Sequence, residues 1–450
     1  MTTHTKYQWE CQPKAEAFVL DILKKTTEKN PTISRLETDL FQKTSTRLFD
    51  WLDHVIIGPS LGAEQQLEDC GFVVQTVTLD YRVYHHPGAQ LPKVVVKEQG
   101  EEIQGIGVSV DSIADFLMCR GVEAKIEGSL YSPYRRCCFN PQEDTKLWII
   151  ERRGTLSLEP IVESQEALEK YLIAQELWEK RPRSLEDEEM AMHLTLLLAQ
   201  ELVELVGRDK AAWIVLEIER KYWQTRNAAG QIQKNRQDRL GMGWANHDHH
   251  TFRSSRRFFP QLVRLFEILG FHCRERFYAG EEAGWGAQVM ENPVCRLVLF
   301  LDVDLATNEI VEDFAHQPLP ELPQLGTIGL WCALHGDSIL NAGMHHLEAQ
   351  FMFEELTQDL AEMGIEMMNP FSSFTYLKQA FTSGEKWSVN PKRVLSLLDK
   401  KLISSEQADK FLTEGAIGSH LENLQRREGY KGFNQKNVSF IIKKTDPRLA

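Results

Sequence analysis

The sequence predicts an α+β protein built from paired βαβββ modules in two halves, with a helical insertion between the halves. Three observations favour this fold class. From Leu48 onward, short runs rich in β-branched and aromatic residues are separated by Gly, Pro and Asp, which is typical of strands and turns. Each of four groups of such runs contains one amphipathic helical stretch. Residues 160–235 interrupt the groups with helical periodicity alone.

Composition and charge exclude several classes of protein. The chain has 450 residues, enough for roughly two to four domains, and its 42% hydrophobic and 26% charged residues are ordinary for a globular protein. A formal net charge of −14 argues against non-sequence-specific nucleic-acid binding and against attachment to anionic lipid by charge alone. No apolar run is long enough to span a bilayer, residues 1–10 lack a signal-peptide pattern, and the eight cysteines show no CxxC spacing. We therefore expect a soluble cytoplasmic protein without nucleic-acid or membrane partners, whose oligomeric state the sequence does not determine.

The chain divides into four predicted segments that follow these changes in pattern. They are a helical lead-in over 1–44, a first βαβββ pair over 45–158, a helical linker or insertion over 159–238, and a second βαβββ pair over 239–450. In the first pair, the two units run over 51–97 and 106–153, with helices over 63–69 and 112–120 and a strand over 122–126.

Three helical stretches are predicted in the insertion, and the β pattern then returns. The stretches cover 163–180, 185–206 and 211–226, and their apolar stripes indicate core packing. The second pair has units over 248–303 and 342–426, with helices over 258–269 and 351–363, a strand over 364–368, and a late helical stretch over 394–412.

Histidines at the start of two strands suggest a metal site. In residues 246–250, His247 and His249 share a face of an extended strand and His250 points the other way, so the choice of ligand among the three stays open. Taken alone, such a cluster is more often a polar strand entry than a set of metal ligands. However, the pair His345 and His346 opens the next unit as His249 and His250 open the preceding one.

A third donor should be an acid in the closing strand, where Glu422 is placed. Two histidines and one carboxylate form the facial triad of non-haem Fe(II) enzymes that use dioxygen, and His249, His346 and Glu422 fit it. Such a centre can bind a chelating 2-oxo acid. Arg253, four residues after His249, could pair with a substrate carboxylate or form a surface ion pair instead.

The first half offers a weaker version of the same pattern. His54 and Glu151 stand where a first-unit ligand and a closing-strand ligand would stand, but residues 106–110 supply no middle donor. We therefore predict that the first half is structural.

The second half resembles a known family. Residues 248–305 and 341–426 resemble the 2-oxoadipate dioxygenase/decarboxylase family, also called hydroxyglutarate synthase, of the vicinal oxygen chelate superfamily. The resemblance rests on the order of several motifs: His249 to Arg253 for His-x-x-x-Arg, Phe277–Gly284 for a turn with Ala-Gly, His345–Gln350 for Asn-His-Leu-Thr-Pro-Arg, Lys378–Phe381 for Arg-Gln-Thr-Ser-Phe, and Glu422 to Arg426 for Glu-x-x-Gln-Arg. Residues 429–438 also look like the Gly-Phe-Gly-x-Gly-Asn-Phe tail of 4-hydroxyphenylpyruvate dioxygenase, from the same superfamily.

The resemblance implies an Fe(II) centre held by His249, His346 and Glu422, and a 2-oxo acid that dioxygen oxidatively decarboxylates. Arg253 would bind the substrate carboxylate, and Gln350 and Gln379 would line the substrate site. Gln350 stands where the family has Arg, and Ala380 where it has Thr, which weakens recognition of a second carboxylate and argues against 2-oxoadipate itself. Two alternatives are another metal-dependent enzyme of the superfamily, either an isomerase or a ring-cleaving dioxygenase, and a non-catalytic protein that binds a small molecule or a partner.

Overall fold

The computed structural model describes residues 9–60, 62–434 and 445–448. Two helices come first, α1 (Pro13–Lys29) and α2 (Pro31–Thr44). Asn30 separates them, because its side-chain oxygen accepts hydrogen bonds from the backbone N–H groups of Thr32 and Ile33 and so caps α2. Residues 1–8 of the predicted lead-in lie outside the described residues.

The first sheet has eight strands in two βαβββ modules. The first module consists of β1 (Leu52–Ile57), α3 (Ala63–Asp69), β2 (Val73–Val77), β3 (Tyr81–His85) and β4 (Lys93–Lys97). The second consists of β5 (Ile103–Ser109), α4 (Ile113–Arg120), β6 (Ile126–Glu127), β7 (Tyr134–Cys138) and β8 (Lys146–Arg152). The strand order is β2-β3-β4-β1-β5-β8-β7-β6, so the antiparallel pair β1 and β5 joins the modules.

Four helices lie between the two sheets in sequence, not the three predicted. They are α5 (Gln165–Glu179), α6 (Glu188–Val206), α7 (Arg208–Gln224) and α8 (Ala228–Asp238). The fourth, α8, shows little apolar periodicity because polar side chains make up much of its buried face. Gln233 donates to the carbonyl of Thr44, and Gln237 donates to the amide oxygen of Asn246.

The second sheet repeats the design with nine strands. Its first module consists of β9 (His247–Arg253), α9 (Phe259–Ile268), β10 (His272–Tyr278), β11 (Trp285–Asn292) and β12 (Leu297–Asp304), and α10 (Thr327–His335) follows. Its second module consists of β13 (His346–Gln350), α11 (Phe353–Glu362), β14 (Ser372–Ser373), β15 (Leu377–Phe381), β16 (Glu385–Trp387), α12 (Pro391–Asp399), α13 (Ser405–Glu414) and β17 (Ala416–Arg426). The antiparallel pair β9 and β13 joins these modules, and β17 runs parallel to β13 on its other side. The predicted α+β fold of paired βαβββ modules in two halves is therefore confirmed.

Three predicted elements differ in the structure. The strand predicted over 122–126 is reduced to β6, because the backbone N–H of Val122 bonds back to the carbonyl of Leu117 and closes the end of α4. The strand predicted over 364–368 is only a bridge between Met367 and Thr382. The helical stretch predicted over 394–412 is the two helices α12 and α13, separated by a turn in which Lys401 has φ = 56°.

Alternation along β9, β13 and β17 gives the second sheet two different faces. Phe252, Leu347 and Leu421 belong to a core cluster that also includes Phe266 of α9 and Leu360 of α11. We call the face turned away from these helices the inner face. Since neighbouring side chains of a strand point to opposite faces, the polar residues that alternate with this apolar set lie on the inner face. Among the described residues, no helix is both long enough and apolar enough to cross a membrane.

A core substitution should test this packing. Phe252 is fully buried, and its ring centroid lies 5.1 Å from that of Phe266. We expect Phe252→Ala to lower the free energy of unfolding by about 3–5 kcal/mol, because it leaves a cavity beneath β9. Urea denaturation measures this change. Phe41→Ala, at a side chain that is 44% exposed, is the control and should cost less than about 1 kcal/mol; equal losses would contradict the assignment.

Candidate metal centre

Four donor side chains meet on the inner face because of the register of three neighbouring strands. Glu348 of β13 is paired with His249 of β9 across the antiparallel ladder and with Glu422 of β17 across the parallel ladder. His346 lies two residues before Glu348, so it shares that face. The strand pairing alone therefore places two imidazoles and two carboxylates side by side.

The donor atoms of these four residues all lie within 4.8 Å of one another. Nε2 of His346 is 2.9 Å from Oε2 of Glu422, and Nε2 of His249 contacts Oε2 of Glu348. The residues are between 0% and 6% exposed. The cluster is thus compact and removed from solvent.

The chemistry of this donor set fits a divalent cation. Burial raises the pKa of Glu422 to about 7, and burial together with the charge of Glu422 raises the pKa of Glu348 well above its usual value. Apart from the contact with Nε2 of His249, Oε2 of Glu348 has no hydrogen-bond partner among the residues that the structure describes. Burial lowers the pKa of His346 well below 6.5, which keeps this ring in the neutral form that ligates metals. Two adjacent carboxylates without a cation between them are unfavourable in such a place, so the residues present fit a metal ion.

The far side of the His249 ring is held by a carboxylate. Nδ1 of His249 is 3.2 Å from Oδ1 of Asp248. The carboxylate of Asp248 in turn accepts two hydrogen bonds from Arg426, at 3.0 and 3.1 Å. Although burial raises the pKa of Asp248, the charge and hydrogen bonds of Arg426 hold it well below its usual value. A carboxylate at Nδ1 leaves Nε2 free to bind a metal and fixes the orientation of the ring.

Gln379 holds the two carboxylates. Its amide nitrogen donates to Oε1 of Glu422 at 3.2 Å and to Oε1 of Glu348 at 3.5 Å. Its amide oxygen accepts the backbone N–H of Asn434 at 3.4 Å. Gln379 therefore links the strand β15 and residue 434 to the donor cluster.

Aromatic rings enclose the cluster. The ring centroid of His249 lies 4.6 Å from that of Phe300 and 5.0 Å from that of Phe433, and His346 lies 5.3 Å from Phe381. These rings exclude water and so strengthen the electrostatic interactions among the donors. Phe433 belongs to the 429–438 segment noted in the sequence, of which residues 435–438 lie outside the described residues.

Arg253 is the unusual member of the inner face. It is 5% exposed, yet Nε and one terminal nitrogen of its guanidinium have no hydrogen-bond partner in the described part of the chain. A carboxylate oxygen of Asp302 lies 3.9 Å from Nε of Arg253. Burial and the charge of Glu422, opposed by Arg253, raise the pKa of Asp302 to about 7. A buried guanidinium with unmet donors is suited to bind an anion.

The structure brings most of the predicted residues together. His249, His346 and Glu422 lie in the donor cluster and Gln379 contacts it, whereas Gln350 donates to Asp248 at 3.4 Å instead. Of the other histidines considered, His247 bonds to the carbonyl of Trp244 at 2.8 Å, and His250 faces Arg220 of α7 at 3.2 Å. That these residues bind a metal and a substrate stays a prediction.

Glu348 is the donor that the sequence reasoning missed. A signal for it exists, because His346 and Glu348 are two residues apart in a strand and must share a face. The predicted ligand set took its one carboxylate, Glu422, from the closing strand and so left out Glu348 of the opening strand.

The first half has no such cluster among its described residues. The corresponding face of its sheet carries an apolar group: Ile56, Val83, Val95, Tyr134, Ile150 and Leu158. Nδ1 of His54 pairs with Asp53 at 2.7 Å, while Glu151 pairs with Arg135 and accepts the backbone N–H of Ile113 at the start of α4. The two residues have separate structural partners.

Comparison with known proteins reaches solved structures only. Neither a protein-family model nor a curated protein sequence matches the chain. A triple mutant of 4-hydroxymandelate synthase from Streptomyces coelicolor is 11% identical and aligns 88% of this chain with 97% of its own, at a TM-score of 0.27. A xylose isomerase-like TIM barrel/4-hydroxyphenylpyruvate dioxygenase fusion protein is 10% identical over 95% of this chain and 58% of its own, at 0.24. Methylmalonyl-CoA epimerase from Mycobacterium tuberculosis is 10% identical over 41% and 89%, also at 0.24. At these identities and scores the likenesses assign no reaction, and the chemistry of the site rests on its own residues.

Asp248 should control metal affinity without being a ligand. We expect Asp248→Asn to weaken metal binding about 10- to 100-fold, because the carboxylate that orients the His249 ring is lost. Titration against a chelator of known affinity measures the change. Asp238→Asn, at an exposed carboxylate paired with Lys234, is the matched control and should leave metal affinity unchanged. If Asp248→Asn also binds metal with wild-type affinity, Asp248 does not orient the His249 ring for metal binding.

Metal affinity should also depend on pH. Because the pKa of Glu422 is raised to about 7 and that of Glu348 is raised further, both carboxyls carry protons below neutrality, and a metal must displace them. Affinity should therefore rise with pH, by about tenfold per unit for each proton released. Chelator titrations between about pH 6 and 8 measure the slope. Glu422→Gln should bind more weakly with a shallower slope, and a flat wild-type profile would be inconsistent with these shifts.

Proposed function

We propose that this protein is an Fe(II)-dependent dioxygenase that oxidatively decarboxylates a 2-oxo acid. The observation that supports this proposal is the buried group of two imidazoles and two carboxylates beside a guanidinium with unmet hydrogen-bond donors. The metal ligands would be His249, His346 and Glu422. Fe(II) held by these residues would supply a Lewis-acid centre that the 2-oxo acid can chelate and at which dioxygen can be activated.

Arg253 would orient the substrate. Its charge reaches the donor cluster, since it contributes to lowering the pKa of His346 and His420. A substrate carboxylate would satisfy the unmet guanidinium donors in a bidentate pair, which fixes the direction of the molecule as well as its position. Asp302 would hold the guanidinium from the other side.

The remaining residues would prepare the site rather than react. Gln379 donates to both Glu348 and Glu422, and so fixes where their free oxygens point. Phe300, Phe381 and Phe433 keep bulk water away from the cluster. Exclusion of water protects a reactive oxidant from side reactions.

Glu348 supports a second candidate function. Three protein ligands leave more open positions than four, so dioxygen and a chelating substrate bind together more readily if Glu348 stays off the metal. A carboxylate beside a metal-bound substrate is also a suitable proton acceptor, as an isomerase of the same fold would need. Burial and the charge of Glu422 raise the pKa of Glu348 well above its usual value, so its ionised carboxylate would be a stronger proton acceptor than an ordinary glutamate.

Dioxygen consumption by the iron-loaded protein tests the proposal. We expect uptake with one or more members of a panel of 2-oxo acids, with release of CO2. Arg253→Gln should raise KM for the acid about 10- to 100-fold at unchanged iron content, because a charged hydrogen bond to the carboxylate is lost. Arg257→Gln, at a guanidinium that is 52% exposed, is the matched control.

Two outcomes decide against the dioxygenase. If the protein binds iron but takes up no dioxygen with any acid, the proposal is wrong. Exchange of a substrate C–H proton with solvent that Glu348→Gln abolishes would then support the isomerase. Retention of full iron occupancy by His249→Ala, His346→Ala and Glu422→Ala would refute the ligand assignment itself.

A further inference from the structure

A second group of imidazoles lies beside the donor cluster. His345, His346 and His420 have ring centroids 4.7, 4.9 and 5.4 Å apart in pairs, and their potential ligand atoms lie within 4.8 Å of one another. The three side chains are 0%, 6% and 0% exposed. Three buried histidines in mutual contact need a physical reason.

Half of the six ring nitrogens in this group have no hydrogen-bond partner among the described residues. Nε2 of His345 and both ring nitrogens of His420 make no hydrogen bond within the described ranges. Unsatisfied buried polar atoms are destabilising, so three such atoms in one place are unusual unless something binds them.

His346 faces both groups at once. Its Nε2 points to Glu422 at 2.9 Å, and its Nδ1 lies 2.8 Å from Nδ1 of His345. One ring therefore presents a nitrogen to each side, and it would bind a metal through both as an imidazolate, whose N–H proton is released to solvent when the second ion binds. The surroundings are apolar, because Trp331 packs on His345 at 5.3 Å and Phe381 stacks on His420 at 4.3 Å.

We infer that His345, His420 and the Nδ1 side of His346 form a second metal site, which takes a borderline divalent cation such as Zn2+ or Cu2+. An all-imidazole set favours these ions, whereas the mixed set with Glu348 and Glu422 favours harder ones such as Fe2+ or Mn2+. The inference shares His346 with the proposed iron site but does not depend on the reaction proposed there.

The charge of Arg253 is the main obstacle to a cation at this place. Arg253 contributes to lowering the pKa of His345 and His420, so it lies within electrostatic reach of both. Asp302, 3.9 Å from Nε of Arg253, supplies a carboxyl that can ionise to offset the guanidinium. The carboxyl of Asp302 can therefore offset the positive charge of Arg253 beside the second site.

Counting bound Zn2+ in the full-length protein tests the inference. The metal-free protein is loaded with Zn2+, freed of excess ion by gel filtration, and analysed by mass spectrometry of the metal. We expect His420→Phe, which keeps a flat ring against Phe381, and His345→Asn each to bind one Zn2+ per chain fewer than the wild type. His335→Gln is the matched control, because His335 is also buried near Trp331 but bonds to the carbonyl of Ile417 at 3.1 Å. It should bind as much Zn2+ as the wild type.

The outcome separates this inference from the proposed function. If His420→Phe and His345→Asn both keep the wild-type Zn2+ count, or if His335→Gln loses an ion as they do, the inference is overturned. A double variant, Glu348→Gln with Glu422→Gln, removes the carboxylates of the mixed site. If the double variant still binds one Zn2+, and adding His420→Phe to it removes that ion, the second site is supported even if no dioxygen uptake is found.

Discussion

The site depends on the pairing of β9 with β13 at the junction between the two modules of the second half. This ladder sets Glu348 against His249, and the parallel ladder between β13 and β17 sets Glu422 against Glu348. A slip of one residue in either ladder would turn the donors of one strand into the helix-covered core and bring Leu347 or Leu421 to the inner face. The core residues that alternate with the donors prevent such a slip, because they fit only one face. Packing on the helical side of the sheet therefore secures the chemistry on the other side.

Burial of charge distinguishes the two halves, which share one topology. In the first half, buried carboxylates have guanidinium partners: Asp53 pairs with Arg152, and Glu151 pairs with Arg135. In the second half, Asp248 has Arg426, but the partners of Glu348 and Glu422 among the described residues are imidazoles and the amide of Gln379. Neutral partners do not repay the cost of two buried negative charges. The second half thus keeps an electrostatic deficit that protons or a cation must fill, and the first half does not.

Pattern and spacing predicted the modules, the two histidines and the closing glutamate, because each follows from strand alternation within one segment. Other features depend on contacts between distant segments. The helix α8 is buried through hydrogen bonds of polar side chains, from Gln233 to the distant Thr44 and from Gln237 to the nearby Asn246, so apolar periodicity gave no sign of it. The strand expected over 122–126 has the right residue types but is taken up by the end of α4. Glu348 was visible in the alternation of β13, yet its role follows only from a register that sequence does not reveal.

Charge also orders the events at the site. The protein is acidic overall, with a formal net charge of −14, and on the inner face Asp302, Glu348 and Glu422 stand against the guanidinium of Arg253, once Asp248 and Arg426 are counted as a pair. Without a cation, ionised carboxylates would repel an anionic substrate, and at the low dielectric of a buried site that repulsion is strong. A divalent cation reverses the local balance and leaves Arg253 as the attractive group for a carboxylate. Where these carboxyls are ionised, the metal would therefore bind before the 2-oxo acid on the proposed function, whereas their protonated forms set no such order.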